Sequence, residues 1–285
     1  MNALNEAALI APLGLTAQQR ARGHVRAQFA RAGARTEAQT TFQTGGLRLK
    51  FPHSGPECEA VVINTGGGMA GGDHALIEMS AGPGARAIVA TQAAEKIYRA
   101  DGAPTHVDVR LEVGAGASLV WAPQETLMFE GADLRRRLEA EVADDASLMI
   151  VESAVFGRLA HGETHVDAAF RDDWRIRRAG RLVFADIVRL EHAAAMLDRP
   201  ALGGGARAVA TLLLVAPDSA ARLDALRALF EAEREAEGPW LEAGASALDG
   251  FLVARLLSPA PHRLRAALTA AMALLRGREA PRVWT

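Results

Sequence analysis

Between residues 23 and about 216 the hydrophobic positions come in short runs and alternations, broken by Gly, Pro and Asp. Residues 24–29, 60–63, 106–112, 182–190 and 209–215 read as strands. Alternation is clearest at Thr164, Val166, Ala168 and Phe170 and at Val183, Ala185 and Ile187, the period of two that sends successive side chains to opposite sheet faces. No eleven-residue stretch there keeps a helical period between its breakers, so the region is predicted nearly all β.

A weak internal repeat runs through this region. Residues 79–91 (MSAGPGARAIVAT), 111–123 (LEVGAGASLVWAP) and 140–152 (AEVADDASLMIVE) share a strand, a tight turn ending in Ala85, Ala117 or Ala146, and a more apolar strand. One such unit about every thirty residues predicts copies that stack into a layered, helical-like β body.

The pattern changes after residue 216. Asp218 and Ser219 can cap a helix with Leu223, Leu226, Leu229 and Phe230 on one face, stopped by Gly238-Pro239. A strand is predicted over 247–257. Ser258-Pro259 then opens a second helix with Leu264, Leu268, Met272 and Leu275 on one stripe, ending at Gly277. The fold expected is mostly β, a stacked body over about 23–216 with a helix–strand–helix part over about 217–285. Together they read as a single domain spanning 1–285.

Composition narrows the function classes. The chain has 285 residues, 49% of them hydrophobic, with 32 basic against 34 acidic side chains and a net charge of −2. That balance gives no electrostatic reason to expect nucleic acid or an anionic membrane as a partner. The single cysteine, Cys58, excludes an internal disulfide or a multi-cysteine metal cage. The apolar run 7–15 lacks a basic region before it and is too short to span a membrane, so a cytoplasmic protein is expected.

Residues 66–71 fit G-x-G-x-x-G after a strand, but only a strand fits before the turn at Gly82, and a dinucleotide site needs a helix there. Gly66, Gly67, Gly68, Gly71 and Gly72 are instead read as a loop needing positive φ or close backbone approach, a structural and partner-facing element. Gly67 and Gly71 are the two expected at positive φ. No P-loop lysine motif or G-x-S-x-G elbow occurs, so neither nucleotide hydrolysis nor a triad hydrolase is expected. His161 and His165, on a strand, would stand about 13 Å apart, too far to share one ion. With Glu163 they form the sole alternative centre, that of a metal-dependent enzyme. Storage of metal is not expected, because no His-rich or Cys-rich tract occurs.

Asp73 ends the glycine loop, Glu95, Glu125 and Glu152 each follow the second strand of one repeat copy, and Glu163 lies in Gly162-Glu163. Stacked copies would bring these acids to one side of the body. Carboxylates with water suit a hard or borderline cation held loosely enough to move on.

Read in order, these segments resemble the urease accessory protein UreD (UreH) family. Cys58-Glu59 and Asn64-Thr65-Gly66-Gly67-Gly68-Met69-Ala70-Gly71-Gly72-Asp73 are similar to its glycine-rich loop, and residues 91–99 (TQAAEKIYR) to its next block. Trp121-Ala122-Pro123-Gln124-Glu125, Phe129-Glu130-Gly131-Ala132, Phe156-Gly157-Arg158, Gly162-Glu163 and Pro281-Arg282-Val283-Trp284 complete the match. Thr65 stands where the family commonly has proline, Ala122 where it has leucine, and His165 follows Thr164 where an aromatic is usual. The resemblance implies a non-catalytic scaffold that delivers nickel to apo-urease with UreF and the GTPase UreG. It implies no tightly bound cofactor, only transient Ni²⁺, for which Asp73, Glu95, Glu125, Glu152 and Glu163 are the expected path. The C-terminal part, with Arg282 and Trp284, is the expected docking region for UreF.

Overall fold

In the computed structural model, residues 20–52, 55–158, 162–163, 165–238 and 240–284 are described. The chain enters through β1 (Arg22–Ala32), β2 (Arg35–Thr44), β3 (Leu47–Lys50) and β4 (Cys58–Asn64). It then winds through stacked coils. The first is β5 (His74–Ala81), β6 (Arg86–Thr91) and β7 (Glu95–Ile97), and the second is β8 (Thr105–Val113), β9 (Ser118–Trp121) and β10 (Thr126–Met128). The third is β11 (Asp133–Val142) and β12 (Ser147–Phe156). Like strands of successive coils pair in parallel, β5 with β8 and β8 with β11 on one wall, β6 with β9 and β9 with β12 on the other.

The repeat read from sequence is the corner of this winding. The turns ending in Ala85, Ala117 and Ala146 lie on one another, with Ser118 N donating to Ala85 O at 2.8 Å and Ser147 N to Ala117 O at 2.9 Å. All three alanines are buried, and a larger side chain at that corner would hold the layers apart.

Further strands, the outermost of them antiparallel, finish both walls. β13 (Ala169–Arg178) and β14 (Arg181–Leu190) extend the first into a seven-stranded sheet of order β14-β13-β11-β8-β5-β1-β2. After the short helix α1 (Ala193–Leu197), β15 (Ala208–Val215) pairs with β12 in the second wall. The chain then runs through α2 (Leu223–Glu237), β16 (Glu242–Leu248), β17 (Phe251–Ser258) and α3 (Pro261–Arg276). The second sheet therefore has the order β16-β17-β15-β12-β9-β6-β4-β3, and β7 and β10 form a short strip against the end of β12.

Burial follows from this layering. β5 and β11 alternate buried and partly exposed positions because only their inner face meets the core. β12 is buried at nearly every position, since Leu148 and Ile150 face the space between the sheets while Met149 and Val151 face the helices. The α3 stripe Leu264, Leu268, Met272 and Leu275 packs against the outer face of the second sheet, and Gly277 ends the helix at φ +65° as a left-handed cap.

The expected strand over 247–257 is instead a hairpin. β16 and β17 are joined at Asp249-Gly250, where Gly250 at φ +86° supplies the one left-handed position of the turn. Asp218 makes no side-chain cap. A 3₁₀ turn, Ser219–Arg222, leads into α2 instead.

Candidate functional site

The glycine loop closes one end of the space between the sheets. Asn64, the last residue of β4, holds it with Oδ1 accepting from Gly66 N at 2.9 Å. Met69 N donates to Lys96 O and Tyr98 N to Met69 O, each at 2.8 Å, so the loop is laid along β7. Gly68 sits at φ +145°, and a Cβ there would lie 2.3 Å from the Tyr98 ring. Gly67, at φ +73°, has the expected positive φ, and its carbonyl accepts from Tyr98 Oη at 3.1 Å. Gly71 differs from expectation. Its φ is not positive, and glycine is needed because a Cβ would lie 2.5 Å from Ala103 O. The loop leads into β5, and no helix follows it.

Behind the loop is a cavity of about 170 Å³ between the sheets. Its wall is largely apolar, with Val62, Met69, Ile77, Val109 and Leu134 among the lining residues. Glu95 and Glu152 both face it, with Asn64, Gln124, Thr126 and Arg136. Glu95 accepts from Asn64 Nδ2 at 2.9 and 3.1 Å and forms no ion pair among the described residues. Burial pushes its carboxyl up to about 7, against the opposing hydrogen bond from Asn64.

Glu152 lies deeper, in a buried ionic triad. Arg136 on β11 and Asp172 on β13 are register partners on the first sheet, and both point inward. Arg136 donates from Nε to Asp172 Oδ1 at 2.9 Å and from Nη2 to Oδ2 at 2.6 Å, a parallel two-point contact. Its Nη1 crosses to the second sheet and donates to Glu152 Oε2. Trp121 Nε1 donates to the other oxygen of Glu152 at 2.7 Å. Exposure of Arg136, Glu152 and Asp172 is 5%, 3% and 6%. Burial first, with the Asp172 charge, raises the Glu152 carboxyl against the pull of Arg136 and the Trp121 hydrogen bond. Arg136 itself stays firmly protonated beside two carboxylates, burial notwithstanding.

A second cavity, of about 230 Å³, lies beyond the triad among Asp172, Leu190, Thr211 and Arg255. Arg136 and Glu152 line both cavities.

The other expected path residues are paired elsewhere. Asp73 is 8% exposed and accepts from Ala21 N and Ala70 N, each at 2.8 Å, so it staples the loop. Glu125 pairs with Arg265 of α3 at 2.8 Å. Glu163 accepts from Arg158 Nε at 2.9 Å. His165 lies 3.2 Å from Asp198, and His161 is outside the described residues. No three His, Cys, Asp or Glu side chains converge on a metal position among the described residues. In the C-terminal turn Arg282 is exposed, whereas Trp284 is 3% exposed and packs in the cluster beneath α3.

Arg136, Asp172 and Trp121 were not among the expected site residues. The signal was present in the strand period. Arg136 falls in phase with Leu134 and Leu138, and Asp172 with Phe170 and Trp174, which places charge on the apolar face.

Comparison with known proteins agrees with this organisation. The family model described as UreD urease accessory protein matches residues 21–285. Urease accessory protein UreD of Xanthobacter autotrophicus is 47% identical over 268 residues, covering 94% of this chain and 91% of that protein. Urease accessory protein UreD 2 of Methylorubrum populi is 47% identical over 280 residues, covering 96% and 93%. Urease accessory protein UreD of Methylobacterium sp. strain 4-46 is 49% identical over 255 residues, covering 89% and 90%.

Proposed function

The chain belongs to the UreD family of urease accessory proteins, and from that premise we propose that it is a non-catalytic scaffold delivering nickel to apo-urease, working with UreF and the GTPase UreG. The nickel is cargo and passes through the interior of the β body. The observation that carries this reading is that Glu95 and Glu152 face one largely apolar cavity, where Glu95 is held by Asn64 and makes no close ion pair among the described residues. A carboxylate half-withdrawn from water against apolar walls is costly in its charged form, and a visiting cation offsets that cost.

The path is thus narrower than the five carboxylates expected from sequence. Glu95 and Glu152 supply oxygen ligands, which hold borderline Ni²⁺ loosely enough to release it. Asp73, Glu125 and Glu163 act through the positions of the loop, the C-terminal helix and the segment after β12. UreF is assigned to the C-terminal part, with exposed Arg282 as a contact and buried Trp284 as the residue that shapes the surface. No helix among the described residues is long and apolar enough to cross a membrane, and the cytoplasm is the compartment this reading assigns.

The test is nickel content of urease matured in cells carrying Glu95→Gln or Glu152→Gln, with co-purification of UreF and UreG measured in parallel. Lowered nickel with intact complexes supports the path. Normal nickel in both variants overturns it, as does a loss of nickel that tracks loss of the complex.

A further inference from the structure

The two cavities meet between the sheets where Arg136 reaches Glu152, with Thr126 Oγ1 3.5 Å from the same Nη1. The triad is asymmetric. Asp172 holds the guanidinium by two bonds from the same sheet, whereas Glu152 is reached from the opposite sheet through Nη1 alone. We propose that the Arg136–Glu152 contact is a gate between the two cavities, opened when a divalent cation takes Glu152 from Arg136 while Asp172 keeps the guanidinium docked on its own sheet. This rests on the nickel path proposed above and adds its regulation.

Each part of the exchange has a physical basis. A divalent ion at Glu152 replaces a partner of charge +1 by one of +2, which roughly doubles the attraction at equal distance. Arg136 is not orphaned by the exchange. It keeps both bonds to Asp172, and its Cζ lies 5.7 Å from the centre of the Phe170 ring. Glu152 is not adrift either, because Trp121 Nε1 still holds Oε1.

A plain brace between sheets would be built more cheaply from apolar side chains, since desolvating three charges offsets much of their mutual attraction. A brace also needs no space on either side. Here Arg136 and Glu152 border a cavity on both flanks.

The gate predicts opposite effects for two substitutions that a brace would not separate. In Asp172→Asn, Arg136 loses its charged neighbour and holds Glu152 harder. In Arg136→Met combined with Asp172→Asn, Glu152 has no competitor. The experiment is calorimetric titration of the full chain, purified with any partner it carries, using NiCl₂, with thermal melts to confirm folding. Expected is Ni²⁺ affinity about tenfold weaker in Asp172→Asn and about tenfold tighter in the double variant, with binding lost in Glu152→Gln.

If Glu152→Gln binds Ni²⁺ like the parent, the nickel path itself fails. If Glu152→Gln loses binding while Asp172→Asn retains the parent affinity, the path stands and the gate is wrong. Should the double variant not fold, the near-isosteric Asp172→Asn decides alone. Weaker binding there supports the gate, and unchanged or tighter binding overturns it.

Discussion

Trp284 donates through its indole Nε1 to the carbonyl of Ala122 at 2.9 Å, fastening the C-terminal turn to the loop that walls the first cavity. Arg265 of α3 reinforces the junction. It donates to Gln124 Oε1 at 2.5 Å and to Trp284 O at 3.2 Å, and its Cζ lies 4.7 Å from the centre of the Trp284 ring. Gln124, itself a cavity residue, also donates to Val283 O.

Trp284→Ala therefore removes a buried ring and a hydrogen bond together. The expected cost is about 3–5 kcal/mol, the range for truncating a large buried aromatic. Urea denaturation measures it. A loss below about 1 kcal/mol would show that the turn is held by its backbone contacts and not by the ring.

Alanine at Gly68 forces a Cβ against the Tyr98 ring in a backbone region that side chains avoid, whereas at Gly67 it meets open space. Gly68→Ala is expected to cost about 2–3 kcal/mol and Gly67→Ala about 1 kcal/mol. The order of the two denaturation midpoints is the check. Equal midpoints would mean that Tyr98 yields freely.

Glu95 carries a pH signature. Its carboxyl is raised from 4.5 to about 7 in the folded protein, by burial first. The folded state therefore binds more protons than the unfolded one between those values. Stability contributed by protonated Glu95 is complete below about pH 4.5 and lost as pH rises through about 7. Glu95→Gln, neutral throughout, should gain on the parent steadily from about pH 5 to about pH 8. A melting-temperature difference that stays flat across that range would contradict the burial assigned to this side chain.

Arg136→Met alone leaves Glu152 and Asp172 buried and uncompensated, with an expected loss of about 3–5 kcal/mol. Adding Glu152→Gln and Asp172→Asn removes both stranded charges. The triple variant should recover most of that loss, and chemical denaturation of the pair measures the recovery. If it is no more stable than Arg136→Met, the triad is held by packing and not by charge.

The stacked β body was legible in the sequence because a repeat acts locally. The turns at Ala85, Ala117 and Ala146 recur about every thirty residues, and that spacing is the length of one coil. Strand phase also puts Arg136 and Asp172 on the apolar face, a signal present in the sequence but passed over. The Asp249-Gly250 hairpin was equally local and was missed by reading through the pair. What only the tertiary structure decided is the partner of each charge. Asp73, Glu95, Glu125, Glu152 and Glu163 are one residue class, three of them placed by the repeat, yet they meet backbone amides, an asparagine, Arg265, Arg136 and Arg158 in turn. Strand phase fixes the face on which a side chain stands. The group opposite comes from another coil or the other sheet, and its position depends on how the layers close, a relation that no local spacing encodes.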